Sequence, residues 1–163
     1  PATIDPAIVD PEEHLIESYT MNFTADRYWS GVMTCPSFYC EVTAGFGERR
    51  SYNDGAYTNF HAGIDFGGGE GLDIYASADG VVVYTGLLEI RGNATIIDHG
   101  WGVYTGYLHQ SEFLVKTGDR VEKGQLIGRV GATGRVVGPH LHWEILIGGV
   151  QVDPMDWLQQ AYP

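Results

Sequence analysis

At 163 residues the chain has room for one domain with a real core and too little for two comfortable ones. Apolar residues make up 44% of it, a globular composition, and no apolar run approaches the length of a membrane span. The formal charge is −12, with Lys116 and Lys123 the two lysines among nine basic residues, which is the wrong sign for nucleic-acid binding.

The first thirty residues hold six acidic side chains and one basic one. Within them, Asp10-Pro11-Glu12-Glu13 has the form of a helix start: an N-cap Asp, Pro at the first helical position and Glu at the third. This predicts a short helix running to about Tyr19, in an arm or packed extension covering residues 1–34. The opening P-A-T-I-D-P has no signal-peptide character, and location is not read from it. Cys35 and Cys40 follow in C-P-S-F-Y-C, either as a small disulfide loop or as two reduced thiols. No second cysteine pair completes a structural zinc set.

From there the composition changes. Of 23 glycines, 22 lie between Gly45 and Gly149. Short Val/Ile/Leu/Tyr runs between glycine turns predict strands at 80–84, 94–98, 103–108, 125–130 and 142–147. The body, residues 35–163, reads as mostly β: an antiparallel sandwich or open barrel.

Six histidines are distributed over this pattern: His14, His61, His99, His109, His140 and His142. In P-H-L-H-W-E-I, residues two apart on a strand share a face, so His140 and His142 sit side by side, about 7 Å apart at Cα. One can bind a metal while the other moves protons. In N-F-H-A-G-I-D-F-G-G-G, His61 and Asp65 would lie about 13 Å apart on a straight strand, too far to share an ion. Gly63 permits a bend that brings both inward, and imidazole plus carboxylate are zinc donors. Turn chemistry is the competing reading for Asp65. His109, in T-G-Y-L-H-Q at a strand end, is available for acid–base work or solvated in a loop. His99, between Asp98 and Gly100, is expected to be structural, and His14 solvated on the acidic helix.

Taken together these pieces resemble the lysostaphin-type zinc endopeptidases that cut bacterial peptidoglycan. The likeness runs from about Cys40 to Leu158. It includes G-F-G-E-R-R, H-A-G-I-D-F, A-S-A-D-G-V-V, I-I-D-H-G, Y-L-H, T-G-D-R-V-E-K-G-Q-L-I-G, T-G-R-V-V-G-P-H-L-H-W-E and V-D-P, in the family's order. The resemblance implies one zinc ion held by His61, Asp65 and His142, with the fourth position left to water or substrate. It implies that His109 and His140 flank that water as catalytic residues. It also implies a curved antiparallel sheet whose groove takes an extended peptide.

Two departures stand out: Gln110 where the family usually continues Tyr-x-His with Leu, and Gly106 before Tyr107. Both bear on groove shape. Tyr52 and Tyr57 are candidates for an oxyanion-stabilising tyrosine. The implied partner is the peptidoglycan peptide, cut by a monomer outside the cell or in the periplasm and envelope. No G-x-S-x-G supports a serine nucleophile. Two alternatives remain: an inactive wall-binding or amidase-activating member of the same fold, and a phosphocarrier or lipoyl-like module suggested by G-D-R-V-E-K-G-Q-L-I-G.

Overall fold

In a computed structural model, which describes residues 5–50 and 59–163, one helix precedes a body built almost wholly of strands. Helix α1 spans Pro6–Thr20. Five short strands follow: β1 (Val42–Ala44), β2 (Arg49–Arg50), β3 (Asn59–Phe60), β4 (Ile64–Phe66) and β5 (Asp73–Tyr75). The long central strands are β6 (Gly80–Leu88), β7 (Gly92–Asp98) and β8 (Val103–Phe113). Then come β9 (Arg120–Val121), β10 (Leu126–Val130), β11 (Leu141–Ile147), β12 (Val150–Val152) and helix α2 (Pro154–Gln159).

The main sheet runs β1-β4-β11-β8-β7-β6-β9, with β12 added to β11 and β10 joining β8 to β5. Its pairs are antiparallel, as the composition predicts. Curvature comes from the way β8 is shared. Its residues 103–108 pair with β11, whereas Gln110, Glu112 and Phe113 pair with β10. The five predicted strands are present, and β6 and β8 run further than expected.

Alternation along the central strands divides the interior in two. Ile97, Tyr107, Trp143 and Ile145 enter the main core with Ile64, Phe66 and Ile127. Trp29 and Met33, N-terminal to the body, also lie in that core. On the opposite face Ile96, Tyr104 and Leu146 pack against Ile16 of α1. Helix α1 therefore covers one end of a sheet face whose other end stays open.

The helix starts earlier than Asp10. Asp5 is the N-cap, its side chain accepting from the Ala7 amide at 2.9 Å, with Pro6 behind it. Two Asp-Pro pairs five residues apart both carry a start signal, and the first one acts. Pro11 is then inside the helix, but on its exposed side, where the Ala7 carbonyl it leaves unpaired meets water. His14 is exposed, as expected.

Cys35 and Cys40 form a disulfide with Cα atoms 6.0 Å apart, which decides between the two readings of that pair. His99 is structural, as expected. It is completely buried, Nδ1–H donates to the Asp79 carbonyl at 2.7 Å, and Nε2 lies 2.7 Å from Thr105 Oγ1.

Burial pushes the His99 pKa down to about 4, against the raising effect of its bond to Asp79 and of the Asp98 and Asp79 charges. The unfolded chain, with histidine near 6.5, binds more protons between those values. Stability contributed by His99 is therefore complete above pH 6.5 and lost as pH falls towards 4. His99→Gln should lose this slope, flattening the fall by on the order of 3 kcal/mol. Urea unfolding at stepped pH checks this, and coincident slopes for the two proteins would contradict it.

Candidate active site

The open end of the shared sheet face holds the histidines. In the antiparallel register of β4 and β11, His142 stands directly across from Asp65. His61 precedes β4, and the chain bends at Gly63 to turn its imidazole back over Asp65. Gly63 is required for close approach: a Cβ there would run into the Trp143 carbonyl oxygen and lie 2.9 Å from His142 Nε2. The bend predicted from that glycine is thus present.

Three donor atoms converge. His61 Nε2 lies 3.0 Å from Asp65 Oδ1 and 3.0 Å from His142 Nδ1, and the latter two are 2.9 Å apart. Tetrahedral zinc with bonds near 2.0–2.1 Å sets its donors about 3.3 Å apart, so the triangle is close to one an ion would occupy. These residues are a group among the described residues that could hold a metal ion.

Each donor is held from behind. His61 Nδ1–H donates to the Gly45 carbonyl at 2.7 Å, leaving Nε2 as the free lone pair. Arg50 reaches the other oxygen of Asp65 at 2.9 Å. His142 turns Nε2 towards Glu144, 3.6 Å away. Glu144 is buried, and Gly106 makes room for it, since a Cβ at 106 would meet Glu144 Cγ at 2.9 Å. The glycine before Tyr107 therefore serves a carboxylate beneath a site histidine.

His109 and His140 border the triangle. His109 lies in the interior of β8 rather than at a strand end, because the strand continues through a bulge. Asn93 and Thr95 of β7 face Gln110 and Tyr107 of β8, so β8 carries one extra residue there. His109 takes the positive φ of 63° at this bulge, and its Nδ1–H donates to the Thr133 carbonyl at 2.8 Å. Gln110 does not enter the groove. It is completely buried and donates to Thr95 Oγ1 and to the Tyr107 carbonyl. His140 immediately precedes β11, with Nε2 3.7 Å from Asp65 Oδ1 and its ring 5.0 Å from that of His109. Tyr52 and Tyr57 lie outside the described residues.

A cleft of about 280 Å³ opens over this group. Val9 and Glu13 of α1 wall one side, and Arg50, Arg91 and Arg135 bring cations to it. Burial opposes ionisation of Asp65, yet hydrogen bonds from His142 and His61 hold its carboxylate well below the usual range. Glu144 follows the same pattern: burial raises it, while the His142 contact and the Arg91 charge bring the net shift down. For His142 burial pulls the pKa down, but Asp65 and Glu144 outweigh it, so the net shift is upward. A metal cation at Nδ1 would displace the proton those carboxylates favour. Burial pushes His109 down to about 4 despite its Thr133 bond, so it stands neutral at pH 7.

The structure thus brings all five sequence-predicted residues to one place. Arg50, Arg91 and Glu144 were not singled out by sequence. Glu144 had a signal in its spacing, two residues beyond His142 on the same strand face. The two arginines had none beyond their sign in an acidic chain.

A family model described as Peptidase family M23 matches residues 59–154, more than half of the chain. The peptidoglycan DD-endopeptidase ShyC of Vibrio cholerae is 40% identical over 119 residues, covering 73% of this chain and 28% of that protein. The chain spans 26–28% of the length of this and two further Vibrio cholerae relatives. A zinc-containing peptidase from Vibrio cholerae superposes with a TM-score of 0.67 at 34% identity, over 82% of this chain and 38% of that one. The catalytic domain of lysostaphin from Staphylococcus simulans gives 0.66 at 30% identity, over 73% and 92%.

Gly63→Ala tests the close approach. The added methyl must part β4 from β11, which should weaken divalent-metal binding by tenfold or more and cost roughly 1–3 kcal/mol of stability. Metal titration and urea unfolding measure both. Parent-like values in each would show that Gly63 does not set the geometry.

Proposed function

The chain belongs to peptidase family M23, and from that premise we propose that it is a zinc-dependent endopeptidase hydrolysing D,D-peptide links in bacterial peptidoglycan. The observation that carries this reading is the His61–Asp65–His142 triangle, with donor atoms 2.9–3.0 Å apart. Two neutral imidazoles and one carboxylate suit zinc, and three protein donors leave a tetrahedral position for water or substrate. When bound there, zinc would lower the pKa of a water towards ~7 and polarise the scissile carbonyl.

The remaining chemistry belongs to the chain. His109, neutral and tied at Nδ1 to Thr133, offers Nε2 to the proton of the attacking water. His140, more exposed at the rim, would donate Nε2–H to the developing oxyanion or to the leaving amine when its ring carries protons on both nitrogens. Its Nδ1–H is held by the Gly138 carbonyl at 3.0 Å, which turns Nε2 towards the site. Arg50, Arg91 and Arg135 border the cleft together with Glu13 and Glu144, and Arg50 and Arg91 are paired with Asp65 and with Glu12 and Glu13, so the lining is mixed in charge. The DD-endopeptidase activity in the relative's name favours a stem-peptide bond over a glycyl bridge.

Residues 35–163 would form the peptidase domain and residues 1–34 an extension packed on it. The Cys35–Cys40 disulfide supports a place outside the reducing cytoplasm, in the cell envelope or beyond. An inactive or amidase-activating role is disfavoured because all three donors and both flanking histidines are in place. A phosphocarrier or lipoyl-like module has no use for the triangle.

Metal removal is the first test. Elemental analysis should find one zinc per chain, and a chelator should abolish cleavage of purified peptidoglycan until zinc is restored. Asp65→Ala should lose the ion, and full zinc occupancy in that variant would sink the ligand assignment. A second test separates binding from proton transfer. His109→Ala and His140→Ala should each keep zinc while cleavage falls about 10²–10⁴-fold. Loss of zinc in either, or full activity in both, would reject this division of roles.

A further inference from the structure

We infer that helix α1 is a working part of the active centre, with Glu12 and Arg91 as positioning residues for His142 and His109. The inference rests on the metal site proposed above. It starts from a carboxylate that the chemistry described so far does not use.

Glu12 is 6% exposed, on a helix that is otherwise mostly solvated. Its two oxygens accept from the backbone amides of Ile90 and Arg91, both at 3.0 Å, and from Arg91 Nη1 at 3.1 Å. One buried carboxylate thus clasps the turn between β6 and β7 by three donors. Burial of a charge is tolerated only with such pairing.

That turn reaches the site in two directions. The Arg91 carbonyl accepts from the His109 amide at 2.9 Å, so the turn fixes the backbone of the bulge. The Arg91 guanidinium, 8% exposed as a residue, bonds Glu13 through Nη2 at 2.8 Å and turns Nε towards Glu144 Oε1 at 4.0 Å. Glu144 in turn faces His142 Nε2 at 3.6 Å. A carboxylate behind a ligating imidazole orients the ring and raises its basicity. Arg91 stands on the far side of that carboxylate, opposite His142.

The test uses the full chain and reads zinc affinity by chelator competition, peptidoglycan cleavage and thermal unfolding. Arg91→Met and Glu144→Gln should each weaken zinc binding about 10–100-fold. The two act through one contact, so the double variant should be little worse than the weaker single one. Arg91→Lys, which keeps the cation, should recover most of the loss. Glu12→Gln should lower kcat several-fold with KM within about twofold, since it disturbs the catalytic groups and not the substrate contacts. If Arg91→Met fails to fold, Glu12→Gln and Arg91→Lys decide. Parent-like zinc affinity and kcat in a folded Arg91→Met or Glu12→Gln, or additive losses in the double variant, would overturn the inference. Zinc affinity is read without turnover. A parent that binds zinc but leaves peptidoglycan intact would reject the substrate and leave this comparison standing.

Discussion

His142 and Asp65 face one another across β4 and β11, and the site depends on holding those two backbones in that register. Behind the pair, Ile64, Phe66, Leu141 and Trp143 alternate into the core and are all fully buried. A slip of one residue would push Trp143 into the cleft and His142 into the core. Each of those apolar side chains stabilises the register by about 1.5–3 kcal/mol through burial. The same register brings a carboxylate and two imidazoles within reach of one ion. Apolar packing on one face of the strands therefore enforces polar convergence on the other, and Gly63 removes the Cβ that would keep the strands apart.

Charge is arranged around that pair with the same economy. In a chain of net −12, three of nine basic residues border one cleft. Arg50 takes the outer oxygen of Asp65, which leaves Oδ1 turned towards both imidazoles. Arg91 stands between Glu144 and Glu12 and Glu13 of α1. Each buried carboxylate near a site histidine thus has a cation on its far side. For Glu144 the cation adds to the His142 contact in opposing the effect of burial, whereas for Asp65 the bonds from His142 and His61 do so.

Much of this was legible before any coordinates. Strand-sized runs between glycines identified the long strands, and two-residue spacing placed His140 and His142 on one face. Gly63 marked the bend between His61 and Asp65, and the order of motifs identified the family. What was hidden depended on tertiary contact. Strands of two or three residues such as β2, β3 and β9 carry no periodicity to detect. The helix start was ambiguous because Asp5-Pro6 and Asp10-Pro11 give the same signal. Glu12 looked like a first-turn acid on a solvated helix, and only its contact with a turn 78 residues away shows otherwise.

The bulge in β8 explains how that strand presents His109 to the cleft that His142 of β11 and His61, just before β4, also border. Strict alternation from Tyr107, whose ring is in the core, puts Gly106 and Leu108 on the cleft face and residue 109 on the wrong one. One extra residue shifts the phase, so that Leu108 and His109 both line the cleft and Gln110 returns to the interior. The shift requires a positive φ at a histidine, a conformation that costs on the order of 1–3 kcal/mol and persists only where neighbours over-determine it. Here they do. The His109 amide bonds Arg91, its ring bonds Thr133, and Gln110 Nε2 donates to the Tyr107 carbonyl at 2.9 Å. The glutamine that departs from the family pattern is thus one of the groups that hold His109 over the cleft.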